Sequence, residues 1–263
     1  MDATLTFLGS GTSMGVPTLG CDCAVCTSAD ARDRRLRPSV LLRWHDSAAE
    51  RNVVIDTGPD FRAQALHERL THVDAVLYTH AHADHILGMD DLRPLSFLTY
   101  RANGLIPLYA DARTARVMET IFSYTLAPGA TYPNRARVEL KPLKASNRIF
   151  GAEFRPVPVL HGELPICGFR FGNAAYLTDV SDIPEESFAL LEGVEVMVLS
   201  ALRHKPHATH ASLDQAVAWA HRIGARQTWF THIAHDLGHE VTNRSLPSHI
   251  QLSYDGLSVP IVL

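Results

Sequence analysis

The sequence predicts an α/β fold in which helices cover mixed β-sheets. Short apolar runs typical of strands outnumber the amphipathic stretches typical of helices, and the helices are scattered between the strands. The chain has 263 residues, of which 46% are hydrophobic and 20% are charged. This is the composition of a globular protein rather than of a disordered one. No apolar stretch approaches the ~18 residues that span a membrane, and the first residues lack the features of an export signal. We therefore expect one cytoplasmic domain over residues 1–263.

The first part of the chain alternates predicted strands with segments rich in turn-forming residues. A helical pattern begins at Pro59, because Phe61, Ala65 and Leu66 are spaced for one helix face. The strands predicted here lie at residues 4–8, 39–44, 52–55 and 74–78.

The second part continues the alternation of strands and helices. Gly172-Asn173 separates two short runs, 169–171 and 174–177, as the turn of a hairpin does. Helices are predicted at 112–124 and 213–223. Further strands are predicted at 105–110, 138–143, 153–160, 194–199 and 227–230, followed by a last strand pair separated by Gly256.

The strongest motif is His80-x-His82-x-Asp84-His85, directly after the predicted strand 74–78. Four metal-binding side chains within six residues can be aimed at one point by a loop that follows a buried strand. Imidazole nitrogens suit Zn, Fe, Mn or Ni, and an added carboxylate keeps the site open to harder metals. The chain also contains 15 His but only 10 Phe. The sequence therefore predicts a metal centre.

This motif resembles the signature of the metallo-β-lactamase fold hydrolases. The resemblance implies an αββα sandwich of two mixed sheets with two metals at one edge. Three further ligands match the family's order at strand ends: His161 in Val159-Leu160-His161-Gly162, Asp179 in Leu177-Thr178-Asp179, and His232 in Phe230-Thr231-His232.

The same resemblance assigns these residues to two divalent ions, with Asp179 shared. One ion is expected on His80, His82, His161 and Asp179, and the other on Asp84, His85, Asp179 and His232. Asp56, in Ile55-Asp56-Thr57-Gly58, matches the family's early Asp, which orients a ligand without binding the metal. The mixed ligand set accepts Zn or Mn, as well as Fe or Ni.

A second group of ligands lies in the turn-rich segment 12–38. Cys21, Cys23 and Cys26 place three thiols within six residues, whereas Cys167 stands alone. In a cytoplasmic protein such spacing indicates metal binding rather than disulfides. Three thiolates leave one corner of a tetrahedral zinc site open, and His235 is the best candidate to fill it. We expect a structural zinc here.

The cysteine motif narrows the resemblance to one branch of the metallo-β-lactamase fold hydrolases. Gly11-Thr12-Ser13-Met14-Gly15-Val16-Pro17, followed by the three cysteines, resembles the PhnP-type branch. Members of this branch are phosphodiesterases that open cyclic ribose phosphates, and in them three Cys and a late His hold a structural zinc. The resemblance implies a metal-dependent phosphodiesterase that acts on a small phosphodiester, cyclic phosphodiesters included, through a hydroxide bridging two metals.

His210 is the candidate for phosphate binding and for proton donation to the leaving oxygen. It matches a His of the branch that precedes a helix near the pocket, and imidazole titrates near neutrality. Asp84 is expected to orient the hydroxide while it ligates. His204 and His207 are weaker candidates. The remaining histidines are expected at the surface: His45, His67, His72, His221, His239 and His249.

Three alternative functions remain open. A tRNA 3′-processing endoribonuclease shares the core motif, but no Gly/Lys-rich arm is present. A net charge of −4 and only three lysines also disfavour nucleic acid as a partner. A thioesterase or lactamase lacks the cysteine cluster. The third alternative is a non-hydrolytic binding protein that resembles the pyrroloquinoline quinone biosynthesis relatives. Those relatives lack part of the metal-ligand set, whereas this sequence contains all of it. The expected partner is a small-molecule phosphodiester rather than a membrane, and a homodimer stays open.

Overall fold

The computed structural model describes residues 1–263, except for the side chains of residues 102 and 103. The strands are β1 Asp2–Gly9, β2 Ser39–His45, β3 Glu50–Ile55, β4 Ala75–Leu77, β5 Ile106–Ala110, β6 Val138–Pro142, β7 Asn147–Ile149, β8 Ala152–His161, β9 Leu164–Phe171, β10 Ala174–Leu177, β11 Val196–Ser200, β12 Gln227–Thr231, β13 Ile250–Leu252 and β14 Ser258–Val262. The helices are α1 Phe61–His67, α2 Ala83–Ile86, α3 Leu92–Asn103, α4 Ala112–Ile121, α5 Ser123–Leu126, α6 Glu185–Leu190, α7 Leu213–Ile223 and α8 His239–Ser245.

The strands form two sheets of seven strands each. The first sheet has the order β14-β1-β2-β3-β4-β5-β6, and the second has the order β13-β12-β11-β10-β9-β8-β7. In the first sheet the pairs from β14 to β3 are antiparallel and those from β3 to β6 are parallel. In the second sheet the pairs from β7 to β10 are antiparallel and those from β10 to β13 are parallel. Both sheets are therefore mixed, as predicted.

The strands in the middle of each sheet are buried on both faces. On β2, Val40, Leu42 and Trp44 lie in the core between the sheets, whereas Leu41 points to the outer face. Because successive side chains point to opposite faces of a strand, burying both faces requires a continuous apolar run. This explains why the predicted strands are short apolar runs without clear alternation.

Helices cover the outer face of each sheet. Phe61 of α1 and Met118 of α4 pack on the first sheet, and Ala216 and Ala220 of α7 pack on the second. The result is two sheets face to face with a helical layer on each side. This confirms the predicted αββα sandwich.

Some predicted elements differ from the structure. The last two strands do not form a pair, because β13 joins β12 of the second sheet and β14 joins β1 of the first. The predicted helix 112–124 is interrupted at Phe122, whose backbone leaves the helical region between α4 and α5. The sequence patterns also do not predict α3. Its first turn contains Pro94, and its apolar residues Phe97 and Leu98 are exposed.

The sandwich brings several strand ends to one edge. The carboxyl ends of β3 and β4 lie beside each other in the first sheet, as do those of β10, β11 and β12 in the second. Ligand sites of α/β sheets commonly lie at such an edge. Within the described residues, no helix has the length and apolarity needed to cross a bilayer.

Candidate metal centre

The loop after β4 carries the His80–His85 motif and turns back on itself through one short helix. His82 caps α2, and its carbonyl accepts the backbone N–H of His85. This turn buries the side chains of Asp84 and His85 beside the sheet edge, while His82 stays exposed. His80, at the start of the loop, is 3% exposed. The local fold thus separates the motif into a rim residue and three buried ones.

Three imidazoles form the first group of the predicted centre. The ring centroids of His80 and His82 are 4.5 Å apart, and those of His82 and His161 are 5.0 Å apart. One nitrogen from each of the three rings lies within 4.8 Å of the others. His161 ends β8, so this group joins the two sheets.

Four buried residues form the second group. Asp179 lies between two imidazoles, with its carboxylate oxygens 3.2 Å from His85 Nε2 and 3.0 Å from His232 Nε2. Asp84 Oδ2 lies 3.2 Å from His85 Nε2 and 3.7 Å from His232 Nε2. Asp179 also lies within 4.8 Å of donors on His161 and His210. The structure therefore places Asp179 between the two groups, where the sequence predicts the shared ligand.

The donor atoms of both groups fit divalent cations. His80 Nε2, Asp84 Oδ2, His85 Nε2 and His232 Nε2 are buried and have no hydrogen-bond partner. Buried polar atoms are almost always hydrogen-bonded, so four orphaned atoms aimed at one region need another partner. Coordination by metal ions would satisfy all of them with the Zn-, Mn- or Fe-type ligand chemistry expected from the sequence.

Hydrogen bonds at the opposite ring nitrogens fix which atom faces the centre. His85 Nδ1 donates to Asp56 Oδ2 at 2.7 Å, and His161 Nδ1 donates to the carbonyl of Thr209 at 2.7 Å. In both rings Nε2 is left as the lone-pair atom for a metal. Asp56 also accepts the backbone N–H and the hydroxyl of Thr79, both at 2.8 Å. Asp56 thus lies where the sequence predicts an orienting residue.

The electrostatics of the second group favour a cation. Burial by itself lowers the pKa of His85, but the carboxylates of Asp84, Asp179 and Asp56 raise it well above its ordinary value. Burial likewise opposes charge on His232, but Asp179 raises its pKa to about 9. The raised pKa values show that the carboxylates favour positive charge at this position. Metal ions would supply that charge in place of protons.

Three residues at the centre hold an unusual backbone conformation. Asp56, Asp179 and His232 have φ angles of 63°, 58° and 56°, in the left-handed region that favours glycine. Each residue follows the end of a strand, where the chain turns sharply towards the centre. Such conformations cost of order 1–3 kcal/mol each and cluster at functional sites. The backbone at these three residues therefore lowers the stability of the fold while it directs their side chains towards the centre.

His210 lies at the open side of the centre. Its ring stacks on that of His232 at 4.8 Å and lies 4.6 Å from that of His161. Its Nδ1 is 3.9 Å from Asp179 Oδ1 and has no hydrogen-bond partner. Burial, followed by the neighbouring His232, lowers the pKa of His210 to about 3. The structure places His210 within reach of a group bound at the centre, as a neutral ring.

The three cysteines converge on His235. Their sulfur atoms lie 3.1 Å (Cys21), 3.6 Å (Cys23) and 3.4 Å (Cys26) from His235 Nδ1. All four cysteines of the chain are free thiols. Three sulfur donors and one imidazole nitrogen around one point, with no disulfide among them, fit a tetrahedral zinc. The structure thus brings together all four residues predicted for the structural site.

The three cysteines and His235 form a group that we call the Cys/His cluster. This cluster and the His/Asp centre both take a residue from the loop after β12. Arg35, which is 1% exposed, donates to the carbonyls of Ala234 and Leu237 on either side of His235. The backbone N–H of Thr12 donates to the carbonyl of Ile233. The segment before β2 therefore holds the loop after β12 at several points.

The structure corrects the prediction for one histidine and reveals two groups that orient metal-site residues. His239 is 3% exposed rather than on the surface, because it begins α8 beneath Arg32 and Tyr254. Thr79 and the Thr209 carbonyl were not predicted as orienting groups. Thr79 directly precedes the motif and could be found from that position, but no sequence signal pairs Thr209 with a ring 48 residues earlier.

Comparisons with known proteins agree with this geometry. The family model described as a beta-lactamase superfamily domain matches residues 51–233. The chain belongs to the beta-lactamase superfamily. The crystal structure of a new diphosphatase from the PhnP family is 53% identical to this chain, with a TM-score of 0.92, and the match covers 99% of this chain and 98% of that one. Such identity over almost the full length places the chain in the PhnP family.

Two more distant relatives give further context. Zn²⁺-bound PqqB from Methylobacterium extorquens shares the fold, with 18% identity, a TM-score of 0.73, and coverage of 97% of this chain and 99% of that one. An octanoyltransferase of Porphyromonas gingivalis is 35% identical over 258 residues, which are 97% of this chain and 51% of that protein. The chain spans about half the length of the curated relatives it matches.

Proposed function

We propose that this chain hydrolyses a phosphodiester bond in a small molecule at the His/Asp centre. The observation that carries the proposal is Asp179, a buried carboxylate shared between two groups of donors whose inward atoms lack partners. His210 completes the arrangement, because it stands at the open side with a free ring nitrogen. The 53% identity to a diphosphatase of the PhnP family supports hydrolysis at phosphorus.

The donor groups assign residues to two divalent cations. His80, His82 and His161 would hold one, Asp84, His85 and His232 the other, and Asp179 would bind both. Such a pair of cations supplies a nucleophile at neutral pH and charge stabilisation on the phosphoryl oxygens. Asp84, whose carboxylate faces both His85 and His232, is placed to accept a hydrogen bond from the attacking water.

His210, whose Nδ1 lies 3.9 Å from Asp179 Oδ1, acts on the substrate from the open side of the centre. As a neutral ring it donates one N–H to a phosphoryl or leaving oxygen. An anionic phosphoryl group beside the ring raises its pKa and so opposes the effect of burial. The ring can then take up a second proton from water, and the resulting imidazolium binds the phosphate and delivers that proton to the departing oxygen, which returns His210 to its neutral form.

A second candidate bond is the phosphoanhydride of a disubstituted diphosphate. The relative with 53% identity is a diphosphatase of the PhnP family. The machinery is the same for both bonds, because each requires charge stabilisation on phosphorus and a nucleophile in line with the leaving oxygen. A diphosphate differs in having a less basic leaving group, and it therefore depends less on His210.

The test uses protein loaded separately with Zn or Mn. Bis(p-nitrophenyl) phosphate, P1,P2-di(adenosine 5′) diphosphate and a pre-tRNA are offered under the same conditions. We expect hydrolysis of at least one of the first two, and its loss in Asp179→Asn but not in the nearby Asp182→Asn. Cleavage of the pre-tRNA alone would move the function to an endoribonuclease, and binding without turnover of any substrate would overturn the proposal.

A further inference from the structure

The end of β8 that lies away from the metal centre borders a cavity of about 450 Å³, which we call the arginine cavity. Arg148, Arg155 and Arg170, on the neighbouring strands β7, β8 and β9, line it together with Glu153. Glu153 lies eight residues before His161, which ends β8 at the metal centre. At about 3.3 Å per residue of strand, the two residues are roughly 26 Å apart. A small ligand in the cavity is therefore out of reach of the His/Asp centre.

The strand register places the four charged residues on the outer face of the second sheet. Arg155 lies opposite Arg170, and Arg148 lies opposite Glu153. Because alternate residues of a strand point to the same face, Glu153 and Arg155 share a face. Phe154, which lies between them in the chain, packs in the core between the two sheets. The arginines therefore point away from that core and towards the cavity.

The arginine cavity has an excess of positive side-chain charge. Arg155 and Arg170 occupy directly opposite positions, where two like charges destabilise a sheet. Glu153 lies 3.0 Å from Arg155, and within the described residues this is the one ion pair that the three arginines form. Arg170 donates instead to the backbone carbonyls of Leu190 and Glu192, both at 2.7 Å, which fix its position but do not neutralise its charge. Three arginines and one glutamate leave two positive charges that no side chain of the cavity balances.

A second cavity, of about 240 Å³, shares Arg148 with the arginine cavity and is also cationic. Lys141 and Lys144 line it, and none of its described lining residues is acidic. Lys141 is paired with Glu139 at 2.9 Å, whereas Lys144 and Arg148 form no ion pair within the part of the chain that the structure describes. These are two of only three lysines in a chain whose formal charge is −4. Positive charge is thus concentrated around Arg148, where it attracts anions.

The chemistry of the arginine cavity fits an anion with two phosphate groups. A guanidinium group donates two parallel hydrogen bonds to a phosphate, and such charge-assisted bonds are among the strongest in proteins. Neighbouring strands are about 4.8 Å apart, so the backbones at Arg148 and Arg170, two strands apart, are separated by about 10 Å or more. Three guanidinium groups spread over that span can bind two phosphate groups at once. None of the described residues that line the cavity is aromatic, so none would stack on a nucleobase.

We propose that the arginine cavity binds a small, non-aromatic molecule that carries two phosphate groups, at a site separate from the His/Asp centre. One phosphate lies between Arg155 and Arg170 and relieves the repulsion between them, and the other binds Arg148. A molecule with a single phosphate leaves Arg148 unused and balances less of the excess charge, so it binds more weakly. The proposal does not depend on the reaction at the metal centre, because it uses none of the residues there.

Calorimetric titration of the metal-loaded protein with two sugar phosphates tests the site. Fructose 1,6-bisphosphate carries two phosphate groups, and fructose 6-phosphate carries one. We expect the wild type to bind the bisphosphate about tenfold more tightly, because it engages all three arginines. Arg148→Ala combined with Arg155→Ala should weaken its binding by about tenfold or more, with metal content and Tm unchanged, because charge-assisted bonds are lost from exposed positions. Arg113→Ala combined with Arg116→Ala removes the same charge from exposed positions of α4 and should keep the wild-type affinity.

A second measurement locates the bound ligand. In protein that contains isotope-labelled arginine, the Nε–Hε signals that are missing from the Arg148→Ala/Arg155→Ala variant should be those that shift when the bisphosphate is added. Equal affinity of this variant and the wild type for the bisphosphate would overturn the proposal, as would equal affinity of the wild type for the two sugar phosphates. Binding that disappears when the active-site metals are removed would place the ligand at the His/Asp centre and would also overturn it. A failure to hydrolyse phosphodiesters would count against the proposed function alone, because neither measurement requires turnover.

Discussion

The His/Asp centre and the Cys/His cluster draw on the same loop, through His232 and His235, but they are built in different ways. The cluster takes three of its four donors from one stretch of six residues, and its sulfurs surround His235. The centre takes its donors from four separate segments, which follow β4 in the first sheet and β8, β10 and β12 in the second. It also contains left-handed backbone and unpartnered buried atoms. The Cys/His cluster, built from local residues, stabilises the fold. The His/Asp centre, which the whole fold assembles, contains the strained backbone and the reactive groups.

The largest expected effect concerns the shared carboxylate. Asp179→Asn removes the charge between His85 and His232, so we expect the loss of one catalytic metal and a fall in hydrolysis of more than about 10³-fold. Asp56→Asn, which alters only an orienting group, should cost about 10–100-fold. Metal analysis and steady-state rates measure both. Similar losses in the two variants would erase the distinction between a bridging ligand and an orienting one.

His210→Ala should leave both metals bound and lower the rate on an alkyl phosphodiester. A positioned general acid contributes about 10²–10⁴-fold. The loss should be smaller on a p-nitrophenyl diester, because nitrophenolate needs little protonation to leave. Equal losses on the two substrates would assign His210 to phosphate binding alone. No loss on either would remove it from the reaction.

The Cys/His cluster should respond through stability rather than chemistry. Cys23→Ser is expected to remove the zinc and to destabilise the chain by about 3 kcal/mol, which lowers Tm by about 6–12 °C at this size. Cys167→Ser, at a cysteine outside the cluster, should keep the zinc content of the wild type. A Cys23→Ser variant with full zinc and unchanged Tm would show that the site is wrongly assigned.

The last expected effect is confined to a narrow pH range and separates two carboxylates with different surroundings. Asp179 has imidazole partners, whereas Asp255 accepts bonds from Ser10 and from the Leu36 N–H, and its burial raises the pKa to about 6. A raised pKa favours the protonated folded state, so this contribution is present below pH 4 and is lost as pH rises to 6. The shift of about two units corresponds to about 3 kcal/mol.

Denaturant unfolding at several pH values measures this contribution. Relative to Asp255→Asn, wild-type stability should fall between pH 4 and pH 6. Asp236→Asn, at an exposed position, should follow the wild type throughout. Parallel curves for the wild type and Asp255→Asn would contradict the assignment to Asp255.

The parts of the fold that sequence predicts best are those with local causes. The hairpin around Gly172-Asn173 is found, with Ala174 opposite Phe171, because two residues suffice to turn it. The His80–His85 motif is local in the same sense. The separation of β13 from β14 into different sheets has no local cause, because nothing in the sequence of either strand indicates which sheet it joins.

The candidate site likewise has features that the sequence predicts and features that depend on how the loops pack. Its side chains could be named from strand ends and from the family resemblance, and the structure brings them together. The burial of His239 and the bond from His161 to Thr209 depend on how the loops at residues 203–210 and 232–239 pack. The left-handed angles at Asp56 and Asp179 are likewise imposed by the surrounding structure, since neither residue type requires them.

The pairing of β1 with β14 has a consequence for synthesis on the ribosome. Thr6 lies opposite Ser258, so one side of the first strand finds its partner only after some 250 further residues have been made. At about 5–20 residues per second this takes roughly 12–50 s. During that time the nascent chain presents β1 as an open strand edge, the feature that promotes wrong pairing between chains. Slow translation or crowding of nascent chains should therefore harm the yield of this protein more than that of a chain whose edge strands are neighbours in sequence.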